Sequence, residues 1–399
     1  MPVYTAEWVL PIAGEPIRRG AISIDNGRIV FVDGHAGASA RDLGRVAIMP
    51  ALVNAHTHLE LSYLHGKVGR TETFLDWIRT IMAARRQYPD AADPRIIDAA
   101  RAAIVDARAS GTGLIGDISN TLVTAPLLHE AAMPAQLFYE LLKFNATDPD
   151  AMTREARGRA DVAVSADVRV SLAPHAPYSV SPGLFAAIRT DLDAHAGQVT
   201  SVHLGESTEE IEFVKRGTGP WRMLLEDLGV WTDEWKPPGT SPVEYLEQLG
   251  FLDRRVLAVH GVQFDGDDLR RLRSRGMTIV SCPRSNQHVG VGAPPLEAFY
   301  AMDVNVAFGT DSLASAPDLN LFSELAEARR LAPRVPARAL LESATRQGAL
   351  ALGFEEFGTI EAGKRAQVIA VRVPAGLDDV EEYLVGGIEP SAITWLDPA

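Results

Sequence analysis

Short, nearly continuous apolar runs recur through the middle of the chain, and each ends in polar or small residues. Eight stand out: "VAIMPALVNAHTH", "GTGLIGDIS", "AQLFYELLKF", "VRVSLAPHAPY", "QVTSVHLGES", "RVLAVHGVQF", "MTIVSCPRSN" and "VNVAFGTDS". Most are followed by stretches of helical period. Apolar strands alternating with helices predict a parallel sheet buried on both faces. Eight such units over roughly three hundred residues predict an α/β fold, a (β/α)8 TIM barrel. An open doubly wound sheet of eight strands is the alternative.

Caps support the helices. "SPGLFAAIRTDLDA" opens with Ser181 at the N-cap and Pro182 in the first helical position. "DPRIIDAARAAIVDARASG" stops at Gly111, a C-cap residue. "VWTDEWKPPGTSPVEYLEQLG" reads either as an active-site loop with a helix behind it or as an ordinary surface excursion.

The two ends follow another rhythm. "AISIDNGRIVFVDG" alternates like a hairpin with "DNG" as its turn, and "GTIEAGKRAQVIAVRV" near the other end has the same character. Neither end is long enough to close a core alone. Residues 1–50 and 346–399 are therefore expected to join as a small β-sandwich domain, with the barrel spanning 51–345.

Composition narrows the class. The 399 residues are 46% hydrophobic and 23% charged, as in ordinary globular chains. The net charge of −14 disfavours nucleic acid and anionic membrane surfaces as partners. The expected partner is a small molecule. A lone Cys282 excludes an internal disulfide framework and suits a reducing, cytoplasmic setting. The first twenty residues lack the basic start and apolar run of a signal peptide. A homodimer is the default expectation for the assembly.

The strand ends carry the chemistry. His56 and His58 close the first run, and His-x-His alone is weak: the pair could be polar residues satisfied by neighbours. Five of the ten histidines, however, fall at predicted strand C-terminal ends: His56, His58, His175, His203 and His260. Asp311 ends the eighth strand in "FGTDS". Strand residues two apart point the same way, so His56 and His58 face one point. His56, His58, His203 and Asp311 form a donor set suited to one divalent metal, Zn2+ or Fe2+. A metal held this way supplies a water acidified enough to be a nucleophile near neutral pH. Glu206, in "HLGES", reads either as a general acid/base at the barrel mouth or as a carboxylate in the first turn of the following helix.

"PALVNAHTHLE" together with "HLGES", "HGV", "SCPRSN" and "GTDS" resembles the amidohydrolase superfamily, in its branch of cytosine-, guanine- and adenosine-type deaminases and triazine chlorohydrolases. The resemblance covers nearly the whole chain, including "ATRQGALALGFEEFGTIEAGKRAQVIAV", where Gln367 stands in place of the usual Asp. It implies that His56, His58 and His203 bind the metal, and that Asp311 binds it and takes a proton from the water. Glu206 would protonate a ring nitrogen and help the leaving group depart. His260 would hydrogen-bond the attacking hydroxide. The product would be ammonia and a keto ring. Two-metal members of the superfamily usually carry a bridging lysine or Glu at strand four. Here "APHAPYS" places His175 there, which implies one metal and a substrate-contacting or merely structural role for His175.

"HTHLELS" followed by "FLDWI" is similar to the aminodeoxyfutalosine deaminases of the alternative menaquinone route, which act on an adenosine carrying a benzoate-like 5′ group. Deaminases of S-adenosylhomocysteine, methylthioadenosine or adenosine are the alternative, then guanine, cytosine, pterin or triazine substrates. A non-catalytic barrel fits poorly with a complete ligand set plus Glu206. Further substrate-contacting candidates are Glu60, Trp77, Arg284 and Asn286. Glu60 could instead anchor a ligand histidine, and Trp77 could be an ordinary core aromatic.

Overall fold

The computed structural model describes residues 2–34 and 40–396; the rest of the two terminal segments lies outside the described residues. Eight central strands run parallel: β1 (Leu52–Thr57), β2 (Thr112–Ser119), β3 (Ala135–Leu141), β4 (Val168–Pro174), β5 (Thr200–Leu204), β6 (Val256–His260), β7 (Thr278–Ser281) and β8 (Asn305–Phe308). Helices separate most of them. Each strand coincides with one of the apolar runs, and nearly every strand residue is buried.

The pattern of runs predicts one closed ring, but the hydrogen-bonded ladders form two sheets, β1–β4 and β5–β8. Isolated bonds bridge the seams. His203 N donates to His175 O at 2.9 Å, and Asp311 N donates to His56 O at 3.0 Å. Beside the first of these, the Thr200 hydroxyl donates to Leu172 O at 2.8 Å, so a side chain stands where a ladder bond would. One buried cluster nevertheless draws on both sheets, with Val53, Leu114, Phe138 and Ala173 meeting Val259, Val280 and Ala307. The two sheets share an interior.

The chain ends do meet. Val46–Pro50 pairs antiparallel with Val368–Arg372, at the centre of a five-stranded mixed sheet. A four-stranded sheet lies over it, built on the hairpin Ala21–Asp25/Arg28–Asp33. Asn26 and Gly27 form its two-residue turn with φ of +48° and +71°, the left-handed geometry that favours this residue pair. Tyr4, Ile22 and Ile24 of the upper sheet pack with Ile48 and Val368 of the lower one.

Caps behave as the sequence predicts. Ser181 Oγ accepts from Leu184 N at 3.1 Å. Gly111 adopts φ +87° just past the helix Pro94–Ala109. The Trp- and Pro-rich segment is an aromatic plug. Trp235 stacks on Phe213 with ring centres 4.8 Å apart, and Trp231 stacks on Phe144 at 5.6 Å. No helix among the described residues is long and apolar enough to cross a membrane.

Candidate active site

The C-terminal ends of β1, β5, β6 and β8 deliver four imidazoles and a carboxylate to one spot. The ring centres of His56 lie 4.9 Å from His58 and 5.0 Å from His203. Asp311 Oδ1 stands 3.8 Å from His56 Nε2 and 3.5 Å from His58 Nε2. Donor atoms of His56, His58 and His203 all fall within 4.8 Å of one another. His260 and Asp311 leave their strands in left-handed backbone, with φ of +78° and +60°. Such conformations cost about 1–3 kcal/mol and persist where the surroundings over-determine them.

This donor set fits a divalent metal. Both ring nitrogens of His56 are buried without a hydrogen-bond partner among the described residues. An imidazole left so is costly unless something outside the chain completes it. His203 turns Nδ1 to His175 O (3.1 Å) and to Glu140 Oε1 (3.4 Å), which frees Nε2 for a ligand. Burial holds the histidines neutral, the form that ligates: His58 is lowered to about 3, and His56 and His203 are lowered too. For Asp311, burial opposes ionisation. The His58 and His260 rings and the Ser285 hydroxyl (2.5 Å from Oδ2) outweigh it, and its carboxyl titrates below the ordinary value.

Glu206 faces this cluster, with Oε1 at 3.6 Å from His260 Nε2. Burial first, then the Asp311 carboxylate, push its carboxyl well above the usual range. Both causes favour its protonated form. Glu206 is not in the first turn of the following helix, which spans Thr208–Arg216 with Ser207 as its N-cap. Ser207 Oγ accepts from Glu210 N, while Glu210 accepts from the backbone N–H of Gly205 (3.0 Å) and Glu206 (2.9 Å). Glu210 therefore fixes where Glu206 points. The pattern Ser-x-x-Glu signals it in the sequence.

His260 is oriented from behind. Asn286 Nδ2 lies 2.9 Å from His260 Nδ1. Donation there leaves the ring proton on Nε2, the nitrogen facing Glu206.

A cavity of about 280 Å³ opens over the cluster. His58, His175, His203, Glu206, His260 and Asp311 lie along it, and apolar side chains including Trp77, Trp221 and Leu225 wall it. His175 sits at its edge, lowered to about 4 by burial, with Nδ1 at 2.6 Å from Ser179 Oγ. Trp77 is both wall and core: it lines the cavity and stacks on Phe74 at 6.2 Å.

Three of the sequence candidates stand elsewhere. Asn286 is fully buried behind His260. Arg284 turns outward, where Glu324 Oε1 (2.6 Å) and Asp318 Oδ1 (2.9 Å) hold it. Both belong to the helix Pro283–His288, whose turn carries them away from the rim. Glu60 does not line the cavity. It accepts from Ser119 Oγ (2.8 Å), Thr121 Oγ1 (2.7 Å), Asn120 N (3.1 Å) and Arg85 Nη2 (3.2 Å). Through Asn120, which bonds Glu140 Oε2 at 2.8 Å, this network reaches the carboxylate beside His203. Four donors thus hold the Glu60 carboxylate. Arg85 and Glu140 line the cavity although nothing in the sequence marked them.

Asp117 secures the turn after His58. It accepts from Leu59 N (2.8 Å) and Thr124 Oγ1 (2.6 Å), and burial pushes its carboxyl up to about 8. In the unfolded chain the proton leaves near the ordinary value of about 3.9. Between the two values the folded form binds the extra proton, so stability falls as pH rises through that window. Asp117→Asn, isosteric with the protonated acid, is expected to flatten that slope. Urea unfolding at several pH values between about 5 and 8 checks it, and an unchanged slope would assign the pH dependence to other groups.

The amidohydrolase family model matches residues 47–387. An aminodeoxyfutalosine deaminase from Deinococcus radiodurans is 32% identical over 79% of this chain and 75% of its own. A 5-methylthioadenosine/S-adenosylhomocysteine deaminase from Moorella thermoacetica is 29% identical over 94% of this chain and 88% of its own. Among solved structures, an adenosine deaminase from Xanthomonas campestris with bound zinc superposes with a TM-score of 0.83 at 26% identity, over 98% of this chain and 90% of its own. The chain belongs to the amidohydrolase family, as a deaminase that hydrolyses carbon–nitrogen bonds of cyclic amidines.

Proposed function

We propose that this chain removes the 6-amino group of an adenosine derivative by hydrolysis, using one divalent metal, Zn2+ or Fe2+, held by His56, His58, His203 and Asp311. The observation that carries it is the meeting of Glu206 with His58, His203 and Asp311 in one cavity, with His56 against them underneath. Attack on an amidine carbon needs a nucleophile on one side and a proton on the ring nitrogen on the other. Glu206, whose burial favours the protonated acid, donates to the ring nitrogen. Asp311 takes the proton of the attacking water, and His260 donates from Nε2 to the oxygen as charge develops there. His175 and Trp77 contact the substrate. The eight strands form one (β/α)8 barrel over 51–345, with residues 1–50 and 346–399 making the β domain.

For the substrate we favour aminodeoxyfutalosine over methylthioadenosine or S-adenosylhomocysteine. Relatives named for both kinds stand near 30% identity, and "HTHLELS" with "FLDWI" supports the first. On this reading the enzyme serves menaquinone formation. The test is ammonia release across a panel of aminodeoxyfutalosine, methylthioadenosine, S-adenosylhomocysteine, adenosine, guanine and cytosine. The highest kcat/KM is expected on aminodeoxyfutalosine. A preference for guanine or cytosine over every nucleoside would overturn the reading.

A further inference from the structure

The helix Phe74–Arg86 begins at a Thr73 cap and turns one face to the cavity. Phe74, Trp77, Ile78, Ile81, Met82 and Arg85 recur at helical spacing along it, and all six line the cavity. The stripe is apolar until its last member. Arg85 is the one guanidinium or ammonium among the described residues that line the cavity.

Arg85 is held from behind. Nη2 donates to Glu60 Oε1 at 3.2 Å and Nη1 to Asn120 Oδ1 at 3.0 Å. A guanidinium has five N–H donors, so these contacts leave several of them for other acceptors. The side chain is 37% exposed while Glu60 is 4% exposed. Glu60 cannot turn to solvent or ligand, because Ser119, Thr121 and Asn120 occupy its oxygens too. Glu140, a carboxylate that also lines the cavity, directs Oε2 to Asn120 and Oε1 to His203. The fork of Arg85 is therefore fixed in place before any ligand arrives, beside an apolar wall. Fixed guanidinium forks bind carboxylates in pairs of parallel hydrogen bonds.

We propose that Arg85 is a specificity-determining residue. It takes a carboxylate at the end of an apolar substituent on the substrate, and that substituent lies along the stripe from Trp77 to Met82. The inference rests on the deaminase reading above and deepens it. Glu60 acts through Arg85 as a positioning residue.

The test compares an adenine nucleoside whose 5′ substituent ends in an aryl carboxylate with its methyl ester. The measured quantity is the ratio of kcat/KM for acid over ester. Wild-type protein should favour the acid, chiefly through KM. Arg85→Gln should lower the ratio about 10- to 100-fold, the range for hydrogen bonds to a charged group, and Arg85→Lys should restore part of it. A ratio changed less than about threefold in Arg85→Gln would overturn the proposal, whatever the absolute rates. The wild type alone is a second check that needs no variant: equal efficiency on acid and ester removes Arg85 as the reader but leaves the deaminase reading standing. Ammonia from neither compound overturns the inference, and ammonia from no adenine nucleoside overturns the deaminase reading with it.

Discussion

Replacing Glu206 with glutamine is expected to leave the fold and the metal in place while turnover falls roughly 10²–10⁴-fold, the range for a lost general acid/base. The geometry isolates this effect. Glu206 stands 3.6 Å from His260 and is not among the three histidines whose donor atoms converge. Its backbone is held by Glu210, so an amide of the same shape should sit where the carboxyl did. The amide cannot release and regain a proton, and protonation of the ring nitrogen fails. Because the interaction is made as the ring carbon is attacked, the loss should fall in kcat more than in KM. Steady-state kinetics with metal analysis on the same preparation checks it, and near-normal turnover would remove Glu206 from the chemistry.

Metal removal should have a comparable effect. Purified protein is expected to carry about one zinc or iron per chain. Chelation should abolish ammonia release, and re-addition should restore it. The apo form should also unfold at lower temperature, since a ligand at a thousand times its Kd stabilises by about 4 kcal/mol. The buried nitrogens of His56, without a hydrogen-bond partner among the described residues, make the apo site costly. His56→Ala should lose metal outright. Two metals per chain, or full activity with none, would contradict the single-metal site.

The parts of this site that the sequence made legible are those set by strand register. His56, His58, His203, His260 and Asp311 sit where apolar runs end, and a run's end is visible as a pattern. Whether neighbouring strands share a continuous ladder depends on hydrogen bonds at two seams, which no pattern of apolar residues encodes. Direction was the weaker signal. "CPRSN" marks the end of the right strand, but a helix begins there, and its turn sends Arg284 to Glu324 and Asn286 beneath His260. Glu60 follows the second histidine so closely that contact with substrate and anchoring were equally readable. Only the four donors around it decide for anchoring. Glu140 and Arg85 were hidden for different reasons. Glu140 sits inside the apolar run "AQLFYELLKF", and Arg85 ends a helix where arginine is ordinary. Each acquires meaning only from the partner across the cavity wall.

The most direct test of the central claim is ammonia release by metal-loaded protein from an adenine nucleoside with a carboxylate-bearing 5′ substituent. One ammonia is expected per nucleoside consumed, with the amino ring converted to its keto form, no release from chelated protein, and release slowed roughly 10²–10⁴-fold in Glu206→Gln at equal concentration. Metal-filled, folded protein that releases no ammonia from any adenine nucleoside would contradict it.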